Sequence, residues 1–406
     1  MDDILKFIHA SDLHLDQPFA GVSNPPNHVR GALINAAYDA AEKIFERAIS
    51  ERVDFVLLSG DVADIDRCGP RGISFLCDQF QLLNEHNIHV YWAGGEADQL
   101  ERWPSMINAL PNVHLFTSTL VEQIHHRRGG RIVATIFGSG FDRRRRRIAE
   151  FRAEESGGFP IGLCYGNLES DEIAKTGIRY WAMGGNHIRR TFTRDDSMLV
   201  FAGTSQSRGP AEAGEHGSTL VRVDENGAIN TYTLATDSIR WIQQRVRIGA
   251  GMTKEDIRSR FEDLAFGLIA EADGQLLLVD WQVAAEGTVN GKLHCNDWLD
   301  EINTWLRTEF GQVGGSLWSM GIQLLTPRSL PEEWYEEDTM LGDYLRSVRE
   351  YQQDTTGKLD LGQYVEPEST EDIVLSAVQF DAEQRREMLR ESAMMGVRLL
   401  SGTEEK

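Results

Sequence analysis

The chain has 406 residues, 41% of them apolar and 26% charged, with four cysteines. That supports two or three domains with cores of their own, and it excludes a disulfide-stapled miniprotein and a low-complexity or collagen-like chain. The net charge, 41 − 63 = −22, argues against a grip on nucleic acid by the whole surface, because phosphate binding needs concentrated Lys and Arg. Residues 331–406 hold 19 acidic and 8 basic residues, 8 − 19 = −11, so half of the charge sits in the tail and any DNA-facing surface lies elsewhere. No apolar run approaches the roughly 20 residues that span a bilayer. Asp2 and Asp3 stand directly ahead of the first predicted strand, which leaves no room for a signal peptide. Cys68, Cys77, Cys164 and Cys295 lack metal-type spacing, so reduced thiols in a cytoplasmic protein without membrane contact are expected.

The first 235 or so residues alternate strand and helix signals. Predicted strands are Leu5–Ala10, Phe55–Ser59, His89–Ala93, Ile132–Gly138, Ile161–Tyr165, Tyr180–Met183, Leu199–Ala202, Ser218–Val223 and Asn230–Leu234. Helices are expected over Gly31–Glu51, with Leu33, Ala36, Ala37, Ala40, Ile44 and Ala48 on one face, and over Arg71–Asn87. Gly129-Gly130 after His125–Arg128, and Asn226-Gly227, read as hairpin turns. After Ser238 a β-α-β-α-β pattern runs through Arg240–Ile248, Lys254–Ala270, Gln275–Val283, Cys295–Phe310 and Met320–Leu325; two helices, Leu341–Gln353 and Asp381–Leu400, follow. The domain assignment is therefore 1–238, 239–330 and 331–406.

Two strand-end motifs carry the chemistry. Asp12-Leu13-His14 follows the first strand, and Ser59-Gly60-Asp61-Val62-Ala63-Asp64 follows the second. Strand C-termini are where α/β sheets bind ligands, and a carboxylate with an imidazole two residues away can converge on one divalent cation. The triplet alone is a weak signal; the two motifs about fifty residues apart make a constellation.

Taken with VLLSGDVAD, VYWAGGEAD, IGLCYGNL, YWAMGGNH and FAGTSQSR in order, the segment FIHASDLHLDQPF resembles the calcineurin-like metallophosphoesterases, and among them the DNA repair exonuclease subunits of the SbcD and YhaO type. The resemblance covers about residues 5–235. It implies a four-layer αββα sandwich with a smaller α+β cap domain and a helical tail, two manganese-type ions, and a phosphodiesterase acting on DNA. It also implies an SMC-like coiled-coil ATPase of the SbcC or YhaN type, held through the C-terminal helices. Asp12, His14, the bridging Asp61 and His187 match the ligands of the first metal. The second set is altered: Glu96 stands at the Asn position, Tyr165 at a His and Gly185 at another, while Ala97 replaces the histidine that serves the transition state, leaving no catalytic histidine. One Mn2+ ion is accordingly expected in place of two, with the nuclease reaction impaired or absent.

Several features admit two readings. Asp12, His14, Asp61 and His187 either bind one cation or hydrogen-bond one another without metal. Glu96 and Tyr165 either ligate weakly or form a polar pair filling the second site. Arg143, Arg144, Arg145, Arg146 and Arg147 are either a DNA-phosphate edge or a solvated helix start. The stripes Trp334, Tyr335, Leu341, Tyr344, Leu345, Val348 and Met388, Leu389, Met394, Met395, Val397, Leu399 either pack on the chain itself or bind the ATPase. Three functions follow: a DNA-repair phosphodiesterase subunit, a catalytically inactive pseudonuclease scaffold, or a phosphoesterase for a smaller substrate. Oligomeric state stays open, with a homodimer among the options.

Overall fold

The computed structural model describes residues 5–17, 19, 21–22, 25–117, 120–143, 148–153, 157–166, 173, 175–285, 289, 293, 297–325, 330, 332–353 and 382–400. Strands β1 (Leu5–Ala10), β2 (Phe55–Ser59), β3 (His89–Ala93) and β4 (Val113–Phe116) pair in parallel. Helices α1 (Asn27–Ser50), α2 (Ile65–Glu85) and the one-turn α3 (Ser105–Asn108) make their crossovers. β5 (Glu122–Arg128) and β6 (Arg131–Gly138) form a hairpin through Gly129 and Gly130, both at positive φ as a tight turn requires. β7 (Phe159–Tyr165) and β8 (Tyr180–Gly184) continue in parallel with β6; β9 (Arg190–Arg194) lies antiparallel to β10 (Ser197–Phe201), which pairs with β8. β11 (Gly217–Val223) and β12 (Ile229–Ala235) close as a hairpin about Asn226-Gly227, and β11 adds antiparallel to β1. The two six-stranded sheets run β12-β11-β1-β2-β3-β4 and β5-β6-β7-β8-β10-β9.

The first sheet buries Ile8, Val56, Leu58, Val90 and Trp92 under α1 and α2, where Ala37, Ala41, Ile44, Phe45, Leu76 and Phe80 meet them. α2 begins six residues before the expected Arg71. Asp64 caps it by accepting the Asp66 N–H at 2.9 Å, and the break comes at Gly69, whose φ of 61 precedes Pro70. Between the sheets, Phe7, Phe55, Leu57 and Tyr91 pack on Ala134, Ile136, Ile161, Leu163, Tyr180 and Val200. Phe137, Phe151, Cys164, Trp181, Met183, Leu199 and Phe201 cover the far side of the second sheet. One polar bolt crosses the inter-sheet core: His9 Nδ1 lies 3.0 Å from the Tyr180 hydroxyl and Nε2 lies 2.8 Å from Ser59 Oγ. Burial drives this imidazole's pKa down to about 3, so the bolt is neutral.

The chain divides into two compact units: residues 1–242 with 272–278 and 313–318, which hold both large sheets, and residues 243–271, 279–312 and 319–406. A third sheet of β13 (Ile239–Ile248), β14 (Leu276–Ala285) and β15 (Leu317–Leu324) runs in that order. In the second unit are α4 (Lys254–Glu271) and α5 (Trp298–Glu309). There Phe261 meets Trp281 edge-on at 5.2 Å, and the Trp281 indole donates to Ser319 Oγ at 3.0 Å. The one-turn α6 (Glu332–Glu336), α7 (Met340–Gln353) and α8 (Ala382–Leu400) form a further cluster. In it Leu341, Leu345 and Val348 pack on Leu389, Ala393, Met394 and Val397, so the two apolar stripes of the tail largely face each other. No helix among the described residues is long and apolar enough to cross a membrane. Arg144–Arg147 and Cys295 lie outside the described residues; Cys68, Cys77 and Cys164 are free thiols.

Gly184 ends β8 where a Cβ would overlap the Ser59 carbonyl oxygen at the end of β2. Gly184→Ala should therefore force the two sheets apart at the site end and destabilise the protein by about 1–3 kcal/mol, read from denaturant midpoints.

Candidate metal centre

Parallel strands β1 and β2 end side by side, and their loops are laced together. The N–H groups of Asp12, His14 and Leu15 donate to the carbonyls of Gly60, Asp61 and Val62 at 2.9, 3.1 and 3.1 Å. That lacing holds Asp12, His14 and Asp61 in the left-handed region, with φ of 51, 46 and 51. Non-glycine residues reach it only at some cost, and it recurs at functional sites.

The result brings Asp12, His14 and His187 together, with one ligand atom from each lying within 4.8 Å of the others. The His14 and His187 rings meet edge-on at 5.2 Å. Asp12 Oδ1 and Oδ2 accept the Gly185 N–H at 3.2 and 3.1 Å, a contact that fixes the last motif against the first. Burial pushes the Asp12 carboxyl up to about 6; bonds from Ser11 and Gly185 pull it back, and the Asp61 charge raises it again. Burial, then the charges of Arg208 and His187, take the His14 imidazole down to about 3, so it presents neutral nitrogens.

His187 is held from behind. Its Nδ1 lies 2.7 Å from Glu212 Oε1, and the carboxylate favours the tautomer with the proton on Nδ1 and the lone pair on Nε2. Arg208 flanks the ring, 3.0 Å from Nδ1 and 3.3 Å from Nε2, and reaches Gln17 on its other side. Burial alone would raise the Glu212 carboxyl, but the His187 bond and the Arg208 N–H and guanidinium bring it down to about 2. Arg208 and Glu212 had no role from the sequence. The signal was the end of FAGTSQSR with an acid four residues on, and only the turn Pro210–Glu212 folds that acid back onto His187.

Asp61 stands outside the three-residue group. Its Oδ1 accepts the Ala97 N–H at 2.7 Å and its Oδ2 the Tyr165 hydroxyl at 2.6 Å. The Tyr165 ring lies over three glycines, so that a Cβ on Gly60 would sit 2.5 Å, and one on Gly185 3.0 Å, from it. Phe141 meets the ring edge-on at 5.3 Å. Burial, the Asp61 bond and the charges of Asp61, Asp12 and Asp98 all push the phenol upward, so it stays protonated and donates to Asp61. Glu96 does not pair with it: its carboxylate holds Arg143. Of the five-arginine run, Arg143 is the described member, and it closes this ion pair.

The sequence pattern of the Calcineurin-like phosphoesterase family matches residues 5–248. The chain belongs to this family. A Bacillus subtilis (strain 168) metallophosphoesterase, YhaO, is 31% identical over 259 residues, 60% of this chain and 63% of that protein, so the chain spans less than two thirds of its relative. Among solved structures, a dimetal phosphatase from Danio rerio is similar at 9% identity over 57% of this chain and 99% of that one, with a TM-score of 0.35. A predicted phosphoesterase from Streptococcus pneumoniae is similar at 14% identity over 58% and 99%, with a TM-score of 0.28.

A metallophosphoesterase implies a divalent metal, and the donor set fits one. His14 Nδ1 and Nε2 are both buried with no hydrogen-bond partner among the described residues. Leaving a buried polar group unpaired costs about 1–3 kcal/mol, and two imidazoles beside a carboxylate are a set that a divalent cation satisfies. The Glu212 contact yields a direct test. Glu212→Ala should weaken Mn2+ binding about 10–100-fold by calorimetry, as loss of a partner behind a ligand does, while Glu212→Gln, which keeps an acceptor oxygen, should lose less.

Proposed function

We propose that this phosphoesterase is a metal-dependent phosphodiesterase subunit acting on DNA, with one working cation site in place of two. The observation that carries the reading is the Tyr165 hydroxyl on Asp61 Oδ2, 2.6 Å away. It engages the carboxylate expected to bridge two ions, and it does so with a ring that fills the neighbouring space.

A cation held by Asp12, His14 and His187 would supply positive charge to a phosphate oxygen and make a nearby water more acidic. The chain's own groups do the rest. Glu212 fixes the His187 tautomer with the lone pair on Nε2, and Arg208, half-buried beside the ring, supplies a positive charge next to the place where phosphate oxygens gain charge. The Tyr165 hydroxyl donates to Asp61 and keeps that carboxylate from turning freely toward the triad. Ala97 offers only its backbone N–H to Asp61, so no side chain there protonates a leaving group. Catalysis of this kind is slow relative to a two-ion centre.

The competing reading, an inactive pseudonuclease scaffold, is favoured by the same Tyr165–Asp61 bond together with Ala97 and Gly185, which bring no ligand. Manganese-dependent cleavage of linear duplex and single-stranded DNA decides between them, with Asp61→Ala as background. The first reading expects one Mn2+ per chain by elemental analysis and slow cleavage that the variant lacks. Equal inertness of both proteins would leave the scaffold reading.

The partnership with an SMC-like ATPase rests on the tail. Most of its apolar side chains are spent within the α6–α7–α8 cluster, yet Met340, Met395 and Leu399 stay 76, 60 and 74% exposed on it. Their acidic surroundings suit a basic protein surface. Removing residues 331–406 should abolish co-purification with the coiled-coil ATPase, and unchanged co-purification would remove the assignment.

A further inference from the structure

Strand β9 follows the ligand His187 by three residues and forms the outer edge of the second sheet. All five of its residues, Arg190-Thr191-Phe192-Thr193-Arg194, are exposed. An edge strand exposed on both faces contributes little to a core, and its composition is unlike that of the rest of the chain. Residues 171–196 contain five basic residues, Lys175, Arg179, Arg189, Arg190 and Arg194, against Asp171, Glu172, Asp195 and Asp196, a local 5 − 4 = +1 in a chain of −22, with the acids confined to the two ends of the stretch.

Register sets the geometry. Arg190, Phe192 and Arg194 stand opposite Phe201, Leu199 and Ser197 of β10, so they share one face by the two-residue period of a strand. Phe192 meets Phe201 nearly perpendicularly, ring centroids 6.5 Å apart, yet remains 53% exposed. One aromatic ring is thus anchored and half bare between two guanidinium side chains, each about 6.8 Å along the strand from it. That repeat is comparable to one extended nucleotide unit of six backbone bonds. Arg189, in contrast, bonds Thr219 and Thr233 and is not part of this face.

We infer that the β9 face is a track for a single DNA strand, with a base stacked on Phe192 and a neighbouring phosphate at Arg190. It rests on the DNA-directed reading above and extends it by naming the strandedness of the substrate. Positive charge attracts the backbone regardless of sequence, and an exposed ring takes the face of an unpaired base, which a duplex keeps stacked away. The Arg190 end lies at the C-terminal end of β10 beside His187, so a strand on the track leads toward the metal centre.

The test uses the full chain and a fluorescein-labelled thymidine 12-mer in EDTA, so that nothing is cut, with anisotropy read over a salt series. Phe192→Ala should weaken binding about tenfold or more, and Phe192→Trp should retain it. Arg190→Ala should lower the slope of log K against log salt by about 0.7. Melting curves of the same samples control for folding, and if Phe192→Ala melts early, Phe192→Trp and Arg190→Ala decide. Binding by the parent that neither variant alters, no binding by the parent, tighter binding of a duplex of the same length, or a self-association that Phe192→Ala abolishes would each overturn the inference. Manganese-dependent hydrolysis of a small phosphodiester by the parent protein tests the metal chemistry separately, so either reading can fail while the other stands.

Discussion

The candidate metal centre depends on a carboxylate outside its own donor set, Asp12, His14 and His187. Asp98 is fully buried, and its two oxygens accept from the backbone N–H groups of Asp61, Val62 and Gly95 and from the Trp92 indole. Burial pushes this carboxyl up to about 7, and the donors of Gly95, Val62 and Trp92 pull against that rise. With every donor pointing inward, removing the acceptor would leave several buried N–H groups unpaired at about 1–3 kcal/mol each. Asp98 thereby clamps the loop after β3 to the loop after β2. The Gly60 and Asp61 carbonyls of that second loop in turn receive the N–H groups of Asp12 and His14. The left-handed backbone at Asp12, His14 and Asp61 is thus held by a hydrogen-bond chain that starts at one acid.

That rigid frame also shapes the neighbourhood of Tyr165. Tyr165 sits at the end of β7 in a place walled by Gly60, Gly184 and Gly185. A phenol needs that glycine floor, and a histidine at residue 185 would carry a side chain into the ring from a backbone with φ of 88. Tyr165 and Gly185 are therefore sterically linked. Glu96 and Arg143 form a second linked pair, since the carboxylate is neutralised by the guanidinium beside it.

Much of this was legible in the sequence, for identifiable reasons. β1, β2 and β3 coincide with their predicted bounds because each is a short, largely buried and mostly apolar run with clear flanking breaks. β9 was missed because all five residues are exposed, leaving neither apolar alternation nor burial to signal a strand. β4 and most of β5 were missed for the related reason that half-buried edge strands rich in His, Arg and Gln carry a weak pattern. In the site, strand-end position and resemblance picked out Asp12, His14 and His187, which the fold gathers. Tyr165 was visible as a replacement, but its bond to Asp61, 104 residues away, was not. The pairing of Glu96 with Arg143 and the support of His187 by Glu212 were hidden for the same reason: they arise from loops meeting in space.

The charge distribution carries one more step. A chain of −22 repels a polyanion at long range, but screening limits that field to about 8 Å at physiological salt. What a phosphate meets at contact is local. Half of the net charge belongs to residues 331–406, in the second unit, whereas His187, Arg189, Arg190 and Arg208 belong to the first. Within that first unit the acids beside the triad are already committed, Asp61 to the Ala97 N–H and the Tyr165 hydroxyl and Glu212 to His187 and Arg208. A carboxylate so engaged repels an incoming phosphate less than a free one, because its charge is spread over its donors. An acidic total and an anionic substrate are therefore compatible here: the remaining condition is that positive groups stand close to the triad, where the loop after β8 brings His187. Arg189 and Arg190, which follow His187 in the chain, and Arg208, which contacts its ring, meet that condition.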